Sequence, residues 1–181
     1  MQVIEHYEVP SGGVSSITFD EIPTDGTYTD LMIVHSLRTN RSVEVADEVQ
    51  LRFNNDTGNN YSVRRLYSYV VGGHVASDAT TTNYLIRGHT TAAGATANTF
   101  GSETIYIPNY ASSVAKSVSR DAVSENNGTE AWLTLAAGLW TGTAAINQIV
   151  LSPQVGSQFV QYGSATLYGI LAGSDGTTTV S

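Results

Sequence analysis

Apolar and polar residues alternate along much of this chain, which is the pattern of β-strands that bury one face. Residues 49–53 show it most clearly: apolar side chains fall on one face, and Gln50 and Arg52 fall on the other. We expect the apolar face to enter a core and the polar face to meet solvent or a partner. The same reasoning predicts strands at residues 16–19, 31–34, 105–107, 149–151 and 166–170.

Four segments differ from a simple one-sided strand pattern or allow two assignments. Residues 31–34 and 149–151 are apolar at both parities, so we expect strands that are covered on both faces. Residues 129–140 fit either a helix or a strand, and we favour the strand because Gly138 would weaken a helix and the neighbouring segments are all β. Residues 80–98 are rich in Thr, Ala and Gly, and we expect them to include a long loop.

Turn-forming residues separate these runs, because Gly, Asn, Asp and Ser favour the backbone angles of turns. Many short strands with frequent turns predict an all-β protein, a single antiparallel β-sandwich or barrel. We expect one domain over residues 1–181, with 1–14 and 172–181 as candidate peripheral contact segments. The predicted turns lie at residues 11–13, 24–26, 54–58, 72–73, 126–128 and 173–176.

Charged residues are scarce: they make up 13% of the chain, against about 25% in an average domain. Eight cations stand against sixteen acids, which gives a net charge of −8, and Lys116 is the single lysine. We expect neither nucleic acid nor an anionic membrane as partner, because both are bound through many cations. Polarity comes instead from 22 Thr, 19 Ser and 11 Asn, and the absence of cysteine agrees with synthesis in a reducing cytosol.

The motifs of catalysis and cofactor binding are missing, so we expect neither an enzyme nor a cofactor. The chain has no Gly-x-Ser-x-Gly elbow and no phosphate-binding loop, and its four histidines lack metal-binding spacing. His35 shares the parity of Leu31 and Ile33, which predicts an inward histidine in the core or an interface. Residues 54–60 resemble part of a calcium loop, but its twelfth position, Arg65, is a cation, so a hairpin or Asx turn is favoured.

Aromatic residues and arginines cluster at positions where partner contacts are expected, because Tyr, Trp and Arg concentrate in protein interfaces. Aromatic rings also form sugar-binding platforms, and core burial is an equally weighted alternative for the two tryptophans. We expect the arginine pair at 64–65 to meet acids of a neighbouring chain or of the same fold. The candidate contact residues are Arg52, Arg64, Arg65, Tyr61, Tyr67, Trp132 and Trp140.

Five segments in combination resemble β-rich virion proteins of tailed bacteriophages, especially those of marine phages. They are SITFDEIP at 16–23, TYTDLMIV at 27–34, LRFNNDTGNNYS at 51–62, IYIPNY at 105–110 and YGSATLYGI at 162–170. The resemblance spans about residues 15 to 171 and carries no catalytic residue with it. It implies a jelly-roll-like sandwich on the virion surface, and it does not distinguish head from tail.

Three functions are considered for this chain. The first is a capsid decoration or cement protein on the outer shell, made in the host cytoplasm and bound to the major capsid protein or other virion proteins. Such a protein is expected to be a homo-oligomer, most simply a trimer. The alternative is a tail or tail-fibre module that binds a glycan or receptor. A glycan-cleaving enzyme is least favoured, because no pair of acids can be nominated for it.

Overall fold

The computed structural model describes residues 1–69, 74–128 and 130–171, and these residues form strands joined by turns and loops. Within these ranges no helix forms, and so none is long and apolar enough to cross a membrane. The strands are β1 (Gln2–Glu8), β2 (Ile17–Phe19), β3 (Tyr28–Leu37), β4 (Ala46–Phe53), β5 (Tyr61–Tyr69), β6 (His74–Thr82), β7 (Leu85–Thr91), β8 (Gly101–Ile107), β9 (Lys116–Ser124), β10 (Trp132–Trp140), β11 (Ile149–Pro153) and β12 (Ser164–Leu171).

Two antiparallel sheets pack face to face as a β-sandwich, which confirms the predicted fold class. The large sheet has the order β1-β12-β3-β8-β9-β10-β5-β6, and the small sheet has the order β2-β11-β4-β7. The chain crosses between the sheets at most of its connections, from β2 to β3 to β4 to β5 and again around β7 and β11. This winding gives the jelly-roll-like arrangement.

The core lies between the sheets and is built by the alternation seen in the sequence. In β4, Val49, Leu51 and Phe53 are fully buried, whereas Gln50 and Arg52 on the opposite face are half-buried. The strands predicted at 105–107 and 166–170 form within β8 and β12, and the one predicted at 16–19 forms as β2 without Ser16. The ambiguous segment 129–140 contains strand β10, so the preference for a strand is confirmed.

The prediction that residues 31–34 are covered on both faces is wrong. Leu31 and Ile33 are fully buried, but Val34 is 37% exposed, because none of the described residues covers its side chain on the outer face of the large sheet. The long loop expected within residues 80–98 forms, but it begins only at residue 92. Strand β7 fills residues 85–91, and the loop that follows ends before Gly101. Strand β11 is closer to expectation, with Ile149 and Leu151 buried and Val150 half-buried.

The predicted turns at 11–13, 24–26, 54–58 and 126–128 all fall between strands. Those at 72–73 and 173–176 lie outside the described residues, as does the candidate contact segment 172–181. The other candidate segment, 1–14, contributes β1, which pairs with β12 at one edge of the large sheet.

Candidate functional site

The three arginines predicted as contacts occupy different environments. Arg64 and Arg65 are neighbours on β5, so their side chains point to opposite faces of the large sheet. Arg64 is exposed on the outer face. Arg65 turns inward, where its side chain is only 7% exposed and its Nη1 lies 3.1 Å from Glu48 Oε1. Arg52 donates from Nε to the carbonyl of Asn83, and its guanidinium lies 5.9 Å from the ring centroid of Tyr84.

Glu48 is the centre of an ionic cluster between the sheets. Besides Arg65, its Oε1 lies 3.2 Å from Arg87 Nη1 and 3.4 Å from His89 Nε2. The other imidazole nitrogen, Nδ1, hydrogen-bonds Thr134 Oγ1 at 3.1 Å. Burial, and then the positive charge of Arg65, lower the pKa of His89 to about 3. The arginine pair is thus met in part by an acid of the same fold, one of the two arrangements expected.

Aromatic rings close one side of this cluster. Trp132 stacks on the imidazole of His89 with ring centroids 4.1 Å apart, and on Tyr69 at 4.7 Å. Tyr67 lies 5.8 Å from Trp132, and the Arg65 guanidinium covers the ring of Tyr67 at 4.0 Å. Tyr67 and Trp132 are both half-buried. The stacking surface of Trp132 is therefore engaged by rings of its own chain.

Tyr61 and Trp140 lie in the core, at the far end of β5 and β10 from Trp132. Tyr61 is fully buried, and Trp140 is 3% exposed. The Tyr61 hydroxyl donates to the carbonyl of Phe53, and burial raises its pKa to about 12. The rings of Trp140 and Phe53 lie 5.5 Å apart. The structure therefore assigns these two predicted contact residues to the packing of a single chain, as the alternative for the tryptophans allowed.

The loop that resembles part of a calcium site is organised by its own hydrogen bonds. Asp56 Oδ1 accepts from the backbone N–H of Gly58 at 2.9 Å, which is the Asx turn. Its Oδ2 accepts from the indole Nε1 of Trp140 at 2.6 Å and from Asn60 Nδ2 at 2.9 Å. The Trp140 hydrogen bond is the main cause of the lowered pKa of Asp56. A cation at this loop would have to displace these donors.

A second ionic group lies entirely in the core and was not found from the sequence. Arg120 and Glu103 are each fully buried and form two contacts, 2.5 Å from Nε to Oε1 and 3.0 Å from Nη2 to Oε2. His35 Nε2 lies 2.9 Å from Glu103 Oε2, so the predicted inward histidine is confirmed. Arg120 also donates to the carbonyls of Leu85 and Val49, which belong to the small sheet.

The charges of this group compensate each other. Burial by itself would raise the pKa of Glu103, but the Arg120 charge and the His35 hydrogen bond outweigh it and lower that pKa to about 2. The alternation of inward and outward residues in the sequence could have revealed this group. Arg120 lies on the same face of β9 as Val118 and Ala122, and Glu103 lies on the same face of β8 as Ile105. Alternation along each strand therefore places both charges inward.

The outer face of the large sheet is apolar around β10. All outward side chains of this strand from residue 133 to 139 are apolar and exposed: Leu133 (57%), Leu135 (57%), Ala137 and Leu139 (38%). On the flanking strands, Leu66 of β5 is 53% exposed and Val123 of β9 is 40% exposed. We call these six residues the leucine face. An isolated exposed leucine is ordinary, but a contiguous group on one sheet face is typical of an interaction surface.

Comparison with family models, with curated proteins and with solved structures finds no match to this chain. The described residues contain no group of three or more His, Asp or Glu side chains placed to hold a metal ion. The arrangement in this part of the chain therefore consists of two ionic clusters that tie the sheets together and one apolar outer face.

Proposed function

We propose that this chain is a structural protein of a tailed-bacteriophage virion, most specifically a decoration or cement protein on the outer surface of the capsid. The observation that carries the proposal is how the buried ionisable groups are used. Perturbed groups such as His89 and Glu103 often mark catalytic sites. Here they contact other side chains of the same core, and each belongs to a cluster that links the two sheets, through His89 and Thr134 in one and through Arg120 in the other, which favours a structural, non-enzymatic role.

The composition of the exposed surface also supports the proposed virion role. Serine and threonine occupy many outward positions of the large sheet, including Ser36, Ser102, Thr104, Ser117 and Ser119. Such a surface stays hydrated with few charges. The net charge of −8 makes a position against DNA unfavourable and would hold decorated particles apart. In this role the protein would bridge neighbouring major-capsid subunits and stabilise the assembled shell by mass action.

Immunogold electron microscopy of purified virions tests the location. Label over the head is the expected result, with hundreds of copies per particle by quantitative mass spectrometry. Label on the tail at about six to eighteen copies would contradict the decoration role, because tails have low rotational symmetry. Capsids that lack the protein should release DNA at a lower temperature. An unchanged release temperature would remove the cementing role.

The alternative, a tail-associated module that binds a glycan or receptor, rests on the half-buried Tyr67 and Trp132. Their support is weaker because the rings stack on their neighbours within the chain. Binding of the purified protein to a glycan array, abolished by Trp132→Ala and unaffected by Leu133→Ser, would favour this alternative over decoration. Turnover of host polysaccharide by the purified protein would contradict both.

A further inference from the structure

The leucine face departs from the alternation that is typical of a sheet with one solvated face. An antiparallel sheet with one solvated face places polar residues outward. Strand β9 largely follows this pattern, because Ser117, Ser119 and Asp121 point outward. On β10, by contrast, every outward position between 133 and 139 is apolar. Nothing within the described residues requires this, because inward Thr134, Ala136 and Gly138 already complete the core side of the strand.

Charges of opposite sign flank the leucine face. Strand β10 pairs with β5 on one side and with β9 on the other. Arg64, exposed on β5, is paired with Ala137, and Asp121, exposed on β9, is paired with Leu135. The cation and the acid therefore lie on opposite sides of β10, two residues apart along the strand direction. Neither has a salt-bridge partner among the contacts of the described residues.

We propose that the leucine face binds a second copy of this chain, face to face, about a two-fold axis that runs along β10. Residues on such an axis meet their own copies, so charged side chains there would repel, whereas leucine and alanine pack. Off the axis, the rotation places β5 of one copy over β9 of the other. Arg64 of each copy then lies near Asp121 of the other, and the contact contains this pair twice.

The dimensions allow this pairing. Sheets pack about 10 Å apart, and two residues along a strand span about 6.6 Å, so the Cα atoms of Arg64 and the opposing Asp121 would be about 12 Å apart. An extended arginine and an aspartate span that distance. Five strands centred on β10, from β8 to β6, form a face about 24 Å wide and 30 Å long. Two copies would bury about 1,400 Å² of this face, within the range of specific interfaces.

Sedimentation velocity across about 1 to 100 μM protein tests the proposal. We expect a monomer–dimer equilibrium in the wild type. The double variant Leu133→Ser/Leu135→Ser should raise the dissociation constant at least about a hundredfold, because each change acts twice in a symmetric contact. Val34→Ser is the matched control, since Val34 is an exposed apolar residue of the same sheet face on β3, outside the proposed contact.

Charge exchange tests the geometry. Arg64→Asp gives a chain with acids at both positions, Asp121→Arg gives a chain with arginines at both, and each alone should fail to pair. Mixed together, they should form a heterodimer that native mass spectrometry resolves, because both cross-contacts are then complementary. A wild type that stays monomeric at about 100 μM, a trimer without a dimer, or a mixture that does not pair would each overturn the proposal. The proposed virion role does not depend on the result, since it is tested by the location and copy number of the protein.

Discussion

The buried pair of Arg120 and Glu103 allows a quantitative test of what holds the two sheets together. Replacing Arg120 with Met keeps much of the side-chain volume and removes four hydrogen bonds. Two of these go to the Glu103 carboxylate and two go to the carbonyls of Leu85 and Val49 in the small sheet. The variant leaves a fully buried carboxylate with His35 as its remaining partner.

The size of the effect follows from these contacts. Removing one member of a buried ion pair costs about 3–5 kcal/mol, because the other charge stays buried without compensation. Each carbonyl left without a donor costs about 1–3 kcal/mol, although such terms do not simply add. We expect Arg120→Met to lower the free energy of unfolding by at least about 4 kcal/mol, a large share of the 5–15 kcal/mol of an ordinary domain.

Urea denaturation followed by tryptophan fluorescence measures this change. The loss should shrink as the pH falls, because the isolated Glu103 carboxyl will take up a proton in the folded variant and cease to be a buried charge. The double variant Arg120→Met/Glu103→Leu should recover the part of the loss that comes from the uncompensated charge, since an apolar pair of similar volume can replace a buried ion pair, although the carbonyls of Leu85 and Val49 still lack the Arg120 donors. A loss below about 1 kcal/mol in the single variant, or no recovery in the double variant, would refute the reasoning.

Three further predictions concern the Glu48 cluster, the Arg120 pair and the Asp56 loop. The pKa of His89 is lowered to about 3, so below pH 6.5 the unfolded chain binds a proton that the folded chain does not. The free energy of unfolding should therefore fall by about 1.4 kcal/mol per pH unit as the pH drops below 6. His89→Gln should flatten this slope between about pH 6 and 4, and a slope equal to that of the wild type would contradict the assignment to His89. Gly88→Ala should destabilise the fold by more than about 2 kcal/mol, because the Cβ of the new alanine would overlap the Arg120 guanidinium and the Glu103 carboxylate. A melting temperature equal to that of the wild type would contradict this packing. Asp56→Ala should lower the melting temperature by several degrees, because the indole N–H of Trp140 and the Gly58 N–H lose their acceptor, and an unchanged temperature would show that water replaces it.

The fold class could be predicted because every second residue of a strand in an antiparallel sandwich faces the core and is apolar. Strand β4 shows this at Val49, Leu51 and Phe53. Strand β7 could not be predicted, because almost all of its residues are buried and several of them, including His89 and Thr90, are polar. The order of the strands could not be predicted from the sequence either, since β12 pairs with β1 and β3, which lie more than a hundred residues away in the sequence. Only non-local contacts decide such pairings.

The candidate site was predictable to the extent that local pattern determines direction. Parity placed His35 inward and put Trp132 and Trp140 on one face of β10, as the structure has them. It could not say that Arg65 turns toward Glu48, because that contact joins two different sheets. The β10 part of the leucine face was visible in the sequence as apolar residues at 133, 135, 137 and 139. Which set of alternate residues enters the core, however, depends on the packing of β10 against β7 of the small sheet.

The distribution of cations changes what the net charge of −8 means for the surface. Arg65, Lys116 and Arg120 all bury their side chains, where they neutralise Glu48 and Glu103 or donate to backbone carbonyls. The chain thus uses part of its small supply of positive charge inside the fold, and two of these cations, Arg65 and Arg120, join the two sheets. An exposed cation such as Arg64 is then unusual on an acidic exterior, and its position beside the apolar outward residues of β10 supplies positive charge where an acidic copy of the same chain would approach.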